Sequence, residues 1–323
     1  MRTFFFPIIL IFFLQACKDD LSFLPFEFLQ HTIDKTDNND YLLQRQIYTY
    51  DIHDRQLSYE LDSNGDGILN RITTYSYSDE GYLLKILLDT DANSHANIIY
   101  FYSYDEHGVL LSEAKDTDAD GTIDSKVSYL YDADFNLLQE NYDHDANGII
   151  DAIYSYTYTD HSVIQNYDMN ADGTPDSITT QTITKYENNT TLTITTDTNA
   201  DTQADGIYIY TDDLAGNRIQ QRYDSGADGH LDKIDTFLYD DQMNRTTFLE
   251  DSNADGSIDN IYHYDYNLNH QIVEESRDYG NDNITNYQTS YEYDSLHRLQ
   301  LQSIDANGDG LFETKYQHYW ESY

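Results

Sequence analysis

The sequence predicts an all-β chain of tandem hairpins, and three observations carry the prediction. The pattern Asp-x-Asx/Gly-x-Asp/Asn-Gly-x-x-Asp/Asn recurs with first aspartates at Asp62, Asp89, Asp116, Asp143, Asp168, Asp197, Asp224, Asp251, Asp278 and Asp305. Every spacing is 27 residues except 143 to 168 (25) and 168 to 197 (29), which together restore 54. Between the acidic stretches, apolar and aromatic residues fall on alternate positions, the pattern of an extended chain with one covered face.

The first residues form a separate element. Arg2 precedes an apolar run from Phe4 to Leu14 that is too short to span a bilayer as a helix, so residues 1–16 read as a signal peptide. Leu14-Gln15-Ala16-Cys17 follows, and Cys17 is the single cysteine of the chain. These four residues resemble the lipobox of bacterial lipoproteins, which implies lipidation of Cys17 and anchoring to a bacterial membrane. Lys18-Asp19-Asp20 resembles the charged tag that directs some lipoproteins to the outer membrane or cell surface. Residues 17–40 are then expected to be a lipidated tether and 41–323 the repeat domain.

Each repeat divides in the same way when positions are numbered from its first aspartate as zero. Position 7 is apolar in most copies (Leu69, Ile123, Ile150, Leu231, Ile258, Phe312), and positions 13 and 15 are mostly aromatic, as in Tyr75/Tyr77, Tyr129/Tyr131 and Tyr264/Tyr266. Odd positions share one face of a strand of about ten residues, rich in the aromatic and β-branched types that suit a pleated surface. A short turn such as Asp105-Glu106-His107-Gly108 leads to a second apolar stretch, Val109-Leu110-Leu111, and then to the next acidic loop. The unit is therefore a hairpin, and Tyr48-Thr49-Tyr50-Asp51 marks a decayed copy ahead of Asp62.

Tyr102-Ser103-Tyr104-Asp105-Glu106-His107-Gly108-Val109-Leu110 resembles the YD repeat of RHS-type surface and toxin-shell proteins. Tyr129-Leu130-Tyr131-Asp132 and Tyr291-Glu292-Tyr293-Asp294 repeat its first half, while Phe135, Met243 and His297 stand where the motif has glycine. The resemblance implies hairpins stacked into a long curved sheet. Position 11 alternates: Tyr100, Tyr154, Tyr208, Tyr262 and Tyr316 occur in every second repeat, with Thr73, Val127, Thr179, Asp235 and Thr289 between them. The expected architecture is a curled or spiral antiparallel sheet; a five-bladed propeller with 54-residue blades is the alternative.

The acidic loops are the candidate sites. In Asp251-Ser252-Asn253-Ala254-Asp255-Gly256-Ser257-Ile258-Asp259, oxygen side chains stand at the first, third, fifth and ninth residues, and Gly256 permits the reversal that lets them converge. This resembles the first nine residues of EF-hand, dockerin and thrombospondin type 3 calcium loops, without the bidentate glutamate at the twelfth. The calcium ligands implied are Asp62, Asn64, Asp66 and Asn70; Asp116, Asp118, Asp120 and Asp124; Asp143, Asp145, Asn147 and Asp151; Asp168, Asn170, Asp172 and Asp176; Asp224, Asp228 and Asp232; Asp251, Asn253, Asp255 and Asp259; and Asp305, Asn307, Asp309 and Glu313. Ser94, Thr202 and Asn283 replace the glycine, so the loops at Asp89, Asp197 and Asp278 are expected to bind weakest. An ordinary Asx-Gly turn needs only one or two such residues, and four at fixed spacing in ten loops ask for more.

Charge points the same way. Lys+Arg 17 against Asp+Glu 59 gives a net charge of −42, which excludes nucleic acid as a partner. Carboxylates about 4 Å apart repel by roughly 1 kcal/mol even in bulk water, so something must neutralise them, and 32 Tyr and 13 Phe argue against disorder. No nucleophile elbow, phosphate loop or zinc spacing is present, and an acid repeated ten times is a poor choice for a unique general acid. The expected function is a non-enzymatic, calcium-stabilised surface lipoprotein that acts as an adhesion or binding scaffold for a glycan or protein ligand. An RHS-like toxin or secretion-associated shell component is the alternative, and a glycan-processing enzyme the third.

Overall fold

The computed structural model describes residues 28–37 and 39–322. The expected signal peptide and Cys17 lie outside the described residues. The chain runs through β1 (Phe28–Asp37), β2 (Leu42–Tyr50), β3 (Gln56–Asp62), β4 (Arg71–Tyr77), β5 (Leu83–Asp89), β6 (Ile98–Tyr104), β7 (Leu110–Asp116), β8 (Ser125–Tyr131), β9 (Leu137–Asp143), β10 (Ala152–Tyr158) and β11 (Ser162–Asp168). It continues through β12 (Ser177–Lys185), β13 (Asn189–Asp197), β14 (Gly206–Asp213), β15 (Arg218–Asp224), β16 (Lys233–Tyr239), β17 (Arg245–Asp251), β18 (Asn260–Tyr266), β19 (Ile272–Tyr279), β20 (Tyr287–Tyr293), β21 (Leu299–Asp305) and β22 (Thr314–Ser322). Most strands are seven residues long, shorter than the ten that the sequence pattern suggests.

Each strand pairs antiparallel with the next, and β1 pairs with both β2 and β22. His31 faces Trp320 and Lys35 faces Tyr316 across that last ladder. The sheet is therefore a closed barrel of 22 antiparallel strands, and neither the spiral sheet nor the five-bladed propeller forms. The reason lies in residues 28–37, which were expected to be tether. They form a strand that covers two edges at once, and without it β2 and β22 would each present a row of unpaired backbone groups.

The register sets the geometry. Thr73 faces Leu88, and Leu88 faces Ile98, two residues short of Tyr100, the equivalent of Thr73 in the next repeat. A slip of two residues per hairpin makes the shear around the ring about equal to the strand number, the ratio that gives a tilt of about 36° in eight-stranded barrels. With strands about 4.8 Å apart, a circular ring of 22 such strands is roughly 40 Å across. No strand's backbone lies against any strand except its two ladder neighbours. Among the described residues the interior is thus a wide lumen rather than a packed core.

The two faces of the wall differ in cover. Thr73, Leu88, Glu140, Tyr156, Ile194, Asp235 and Thr289 are buried on the tyrosine face, whereas on the other Asp34 and Ser303 are buried and Thr74, Ser76, Ser103, Lys126, Leu130 and His263 are exposed. Side chains on the concave side of a closed sheet converge and shield one another, and those on the convex side splay. The greater number of buried residues is the ground for reading the tyrosine face as the concave one. All ten position-11 residues lie on it, and burial does not follow the alternation throughout: Thr73, Asp235 and Thr289 are buried, whereas Val127 and Thr179 are partly exposed like the five tyrosines.

The two irregular spacings have a local cause. The β10–β11 turn closes tightly, with the Thr159 N–H donating to Ser162 O at 2.8 Å and no register shift. β12 and β13 each have nine residues, so the next hairpin is longer by what the first lost. At most other turns an aspartate caps the reversal, with Ser78 and Asn267 in its place at two; Asp105 Oδ1 accepts the N–H groups of His107 and Val109, both at 2.8 Å. Phe135, Met243 and His297 keep the left-handed conformation of the glycine they replace, at φ of 63°, 65° and 64°. Each of these side chains reaches the preceding turn: Phe135 lies against His107, Met243 against Asn217, and His297 against Asn269.

Candidate metal centres on the acidic rim

The ten acidic loops all leave one end of the barrel, because each joins an odd strand to the even strand that follows, while the Tyr-Asp turns occupy the other end. Nine of the ten loops begin on the last residue of a strand, Asp278 standing one residue before the end of β19, and nine of the ten first aspartates are buried, between 0 and 8% exposed. Their carboxylates face backbone. In the loop after β17, Asp251 Oδ2 accepts the Gly256 N–H at 2.9 Å and Oδ1 accepts the Asp255 N–H at 3.1 Å. Asn253 Oδ1 accepts the Asp255 N–H, Asp255 Oδ1 accepts the Ser257 N–H, and Asp259 Oδ2 accepts from the Ser252 N–H and hydroxyl. The oxygen side chains are thereby drawn inward over one loop.

Two residues per loop hold the left-handed conformation. One is the expected glycine position, and Ser94, Thr202 and Asn283 adopt it there too, at φ of 75°, 78° and 65°. The other comes two residues earlier and is alanine in seven loops, Ala92, Ala119, Ala146, Ala171, Ala200, Ala227 and Ala254. Sequence reading missed this second reversal, since alanine carries no signal for positive φ. A left-handed L-residue costs about 1–2 kcal/mol, and the hydrogen bonds to the first aspartate offset it.

Three loops bring three acids within ligand distance of one another: Asp116, Asp118 and Asp120; Asp143, Asp145 and Asp151; Asp305, Asp309 and Glu313. Asp124 stands outside the first group, with Oδ2 accepting the N–H and hydroxyl of Thr117, both at 2.6 Å. The loops at Asp62, Asp168, Asp224 and Asp251 gather no such trio of acids among the described residues. Asn64, Asn170 and Asn253 occupy their third position or Gly226 does, and Asn147 and Asn307 supply amide oxygens within the acid-rich loops. In the loop after β3, burial pushes the Asp62 carboxyl up, but the N–H groups of Gly67 and Gly65 outweigh it and hold it below the usual carboxylate range. Asp305 behaves alike, with Gly310 and Gly308 as donors. Such carboxylates are ionised at neutral pH and ready for a cation.

The tyrosine face has its own regularities, also unseen in the sequence. The second tyrosine of the Tyr-x-Tyr pair donates to the carbonyl 21 residues earlier: Tyr77 to Gln56, Tyr131 to Leu110, Tyr158 to Leu137, Tyr239 to Arg218, Tyr266 to Arg245 and Tyr293 to Ile272, at 2.7 to 2.9 Å. Trp320 Nε1 makes the same bond to Leu299 O. Elsewhere on this face Glu140, 4% exposed, accepts the hydroxyls of Tyr142 and Tyr156 at 2.7 and 2.5 Å, and Tyr129 donates to Glu113 at 2.8 Å. Burial first, and then these carboxylates, push the three phenols far up. Across the ring, Lys233 pairs with Asp235 and Glu250, and Arg277 pairs with Glu275.

No protein-family description and no curated protein matches the chain. Solved structures similar to it include TcdB2-TccC3-TEV, 15% identical over 90% of this chain and 16% of that one, with a TM-score of 0.40. A Tc holotoxin pore of Photorhabdus luminescens is 13% identical over 81% of this chain and 15% of that one, TM-score 0.32. A porin-like protein from Bacteroides uniformis is 10% identical over 92% of this chain and 98% of that one, TM-score 0.31. The chain spans about a sixth of the first of these, and at such identities and TM-scores neither fold nor function carries over.

Proposed function

We propose that the chain is a non-enzymatic binding barrel, stiffened by calcium along one rim and held to a bacterial membrane by a lipid on Cys17, that takes a glycan or protein ligand on its tyrosine face. The observation that carries the reading is the rim itself: ten acidic loops at one end of the barrel, with the first aspartate buried in nine of them and the others turned over the loop. In a chain of net charge −42, crowding carboxylates at one edge costs stability unless a cation neutralises them. Oxygen donors spread unevenly over irregular loops suit Ca²⁺, which accepts varied geometry and completes its shell with water, better than Mg²⁺, which demands a tight octahedron. The tyrosine face supports the ligand reading. Its rings are partly exposed in a lumen wide enough to admit an oligosaccharide or a polypeptide segment, and flat rings stack on sugars as readily as on side chains.

Thermal unfolding tests the calcium part. An ion that binds the folded state alone adds about 2.7 kcal/mol per site at a hundredfold excess over Kd, so several weak sites sum to a shift of many degrees. Millimolar calcium should raise the midpoint and a chelator should collapse it, with magnesium doing much less. A melting curve indifferent to all three contradicts the reading. Metabolic labelling with a fatty acid tests the anchor: the wild type should be marked and Cys17→Ser spared.

A further inference from the structure

The ten loops are not equivalent in one respect. In nine of them Oδ1 of the first aspartate accepts at least one N–H of its own loop, as in Asp62 from Gly65 at 2.7 Å, Asp143 from Asn147 at 3.0 Å and Asp168 from Asp172 at 3.1 Å. Asp116 is the exception. Its side chain is 0% exposed, Oδ2 accepts the Gly121 N–H at 2.9 Å, and Oδ1 is buried with no hydrogen-bond partner. An unpartnered carboxylate oxygen shut off from water costs the full desolvation of a charged acceptor, so the fold has a reason to supply a cation there.

The residue that carries that oxygen belongs to a converging donor set. Asp116, Asp118 and Asp120 bring one carboxylate oxygen each within 4.8 Å of one another. Asp118 accepts the Asp120 N–H through Oδ1 at 3.2 Å, and Asp120 accepts the Thr122 N–H through Oδ1 at 2.7 Å. Asp124 uses Oδ2 for Thr117. Each acid of the converging trio is thus fixed to backbone by one oxygen and keeps the other for a ligand, while Asp124 braces the loop from outside the trio. The loop has carboxylates at its first, third, fifth and ninth positions, where the loops at Asp62, Asp168, Asp251 and Asp305 have an amide at the third.

We propose that the Asp116–Asp124 loop is a discrete high-affinity site for a divalent cation of the calcium class, filled before the other loops of the rim. The proposal rests on the reading of the rim as calcium-binding and adds to it an order of filling. Three converging carboxylates against two positive charges favour a hard dication with oxygen preference, and one donor is already stripped of water. Neutral amides and partnered first aspartates make the remaining loops weaker.

Calorimetric titration of the full chain with calcium, after chelation and desalting, separates the possibilities. The wild type should show one tight event followed by a weaker class at least tenfold higher in Kd. Asp118→Asn together with Asp120→Asn keeps size and the Oδ1 acceptors; it should remove the tight event and leave the weak class. Asp255→Asn, the matched change in the loop after β17, should leave the tight event in place. The melting midpoint of each variant in calcium-free buffer confirms that it folds. A tight event that survives the paired substitution, or a wild-type isotherm with one class of site, overturns the proposal while leaving calcium binding by the rim intact. No calcium heat and no melting shift in any variant overturns both.

Discussion

Replacing the second tyrosine of the Tyr-x-Tyr pairs by phenylalanine tests how the wall of the barrel is braced. Tyr158 donates to Leu137 O at 2.8 Å, and Leu137 sits where the β8–β9 register shifts between Leu130 and Tyr131. A shift of register leaves a carbonyl out of the ladder, and the phenol from the next hairpin satisfies it. Gln56, Leu110, Arg218, Arg245 and Ile272 occupy the same place at their own shifts. Loss of one such bond costs about 0.5–1.5 kcal/mol. The sites are two strands apart, about 10 Å, far enough for their effects to add. Six Tyr→Phe changes therefore remove about 6 kcal/mol, a large part of the 5–15 kcal/mol typical of a domain. Urea unfolding should show the midpoint of Tyr158→Phe falling modestly at constant slope, and that of the sixfold variant falling severely or the fold failing. Tyr75→Phe, whose hydroxyl has no protein partner, should be neutral. A sixfold variant within 1 kcal/mol of wild type would refute the bracing role.

Three further predictions concern single residues. A β-carbon on Gly308 would lie 1.9 Å from Thr285 O, whereas one on Gly310 meets nothing within 4 Å, although both glycines are left-handed at φ of 71° and 86°. Gly310→Ala should cost about 1–2 kcal/mol of stability and Gly308→Ala clearly more; equal melting shifts would remove the argument. Burial, and then His318, push the His31 imidazole down from 6.5 to about 4, so between those values the unfolded chain binds more protons than the folded one. Stability should rise with pH across that window and level off above it, with the slope reduced in His31→Gln; emission of Trp320, which stacks on His31 at 3.7 Å, reports the change. Glu140→Gln keeps one acceptor for the hydroxyls of Tyr142 and Tyr156 but presents an amide to the other, and should cost about 1–3 kcal/mol in urea unfolding. Stability unchanged by that substitution would mean that the network contributes little.

The hairpin was legible in the sequence because its signals are local. Alternating Tyr129 and Tyr131, the capping Asp132 and the following leucines define two strands and a turn without reference to the rest of the chain. Closure was not, because it depends on a ladder between His31 and Trp320, 289 residues apart, formed by a strand that lacks the repeat. The period-two pattern of Gln30-His31-Thr32-Ile33 is a faint signal beside ten copies of a strong one. At the rim, the sequence marked the oxygen side chains and the glycine reversal. It had no means of marking Ala119 as left-handed or Asp116 Oδ1 as unpartnered, since both follow from how the loop packs on the strand ends. The struts from Tyr158 and its equivalents were hidden in another way: a tyrosine in a strand reads as surface cover, and its hydroxyl partner sits in the preceding hairpin.

The closed ring is the claim on which the lumen and its ligand face depend, and one cross-link tests it directly. Lys35 and Tyr316 are opposed in the β1–β22 ladder and lie on the tyrosine face. Cysteines placed at both positions in a Cys17→Ser background, which carries no other thiol, should join on mild oxidation into an intramolecular disulfide. The junction between residues near the two ends of the chain is visible by mass after proteolysis. Cysteines at Tyr154 and Tyr316, far apart around the ring, should remain free. If the first pair stays reduced in folded protein while each single cysteine is accessible to alkylation, the two ends do not meet, and the sheet is open.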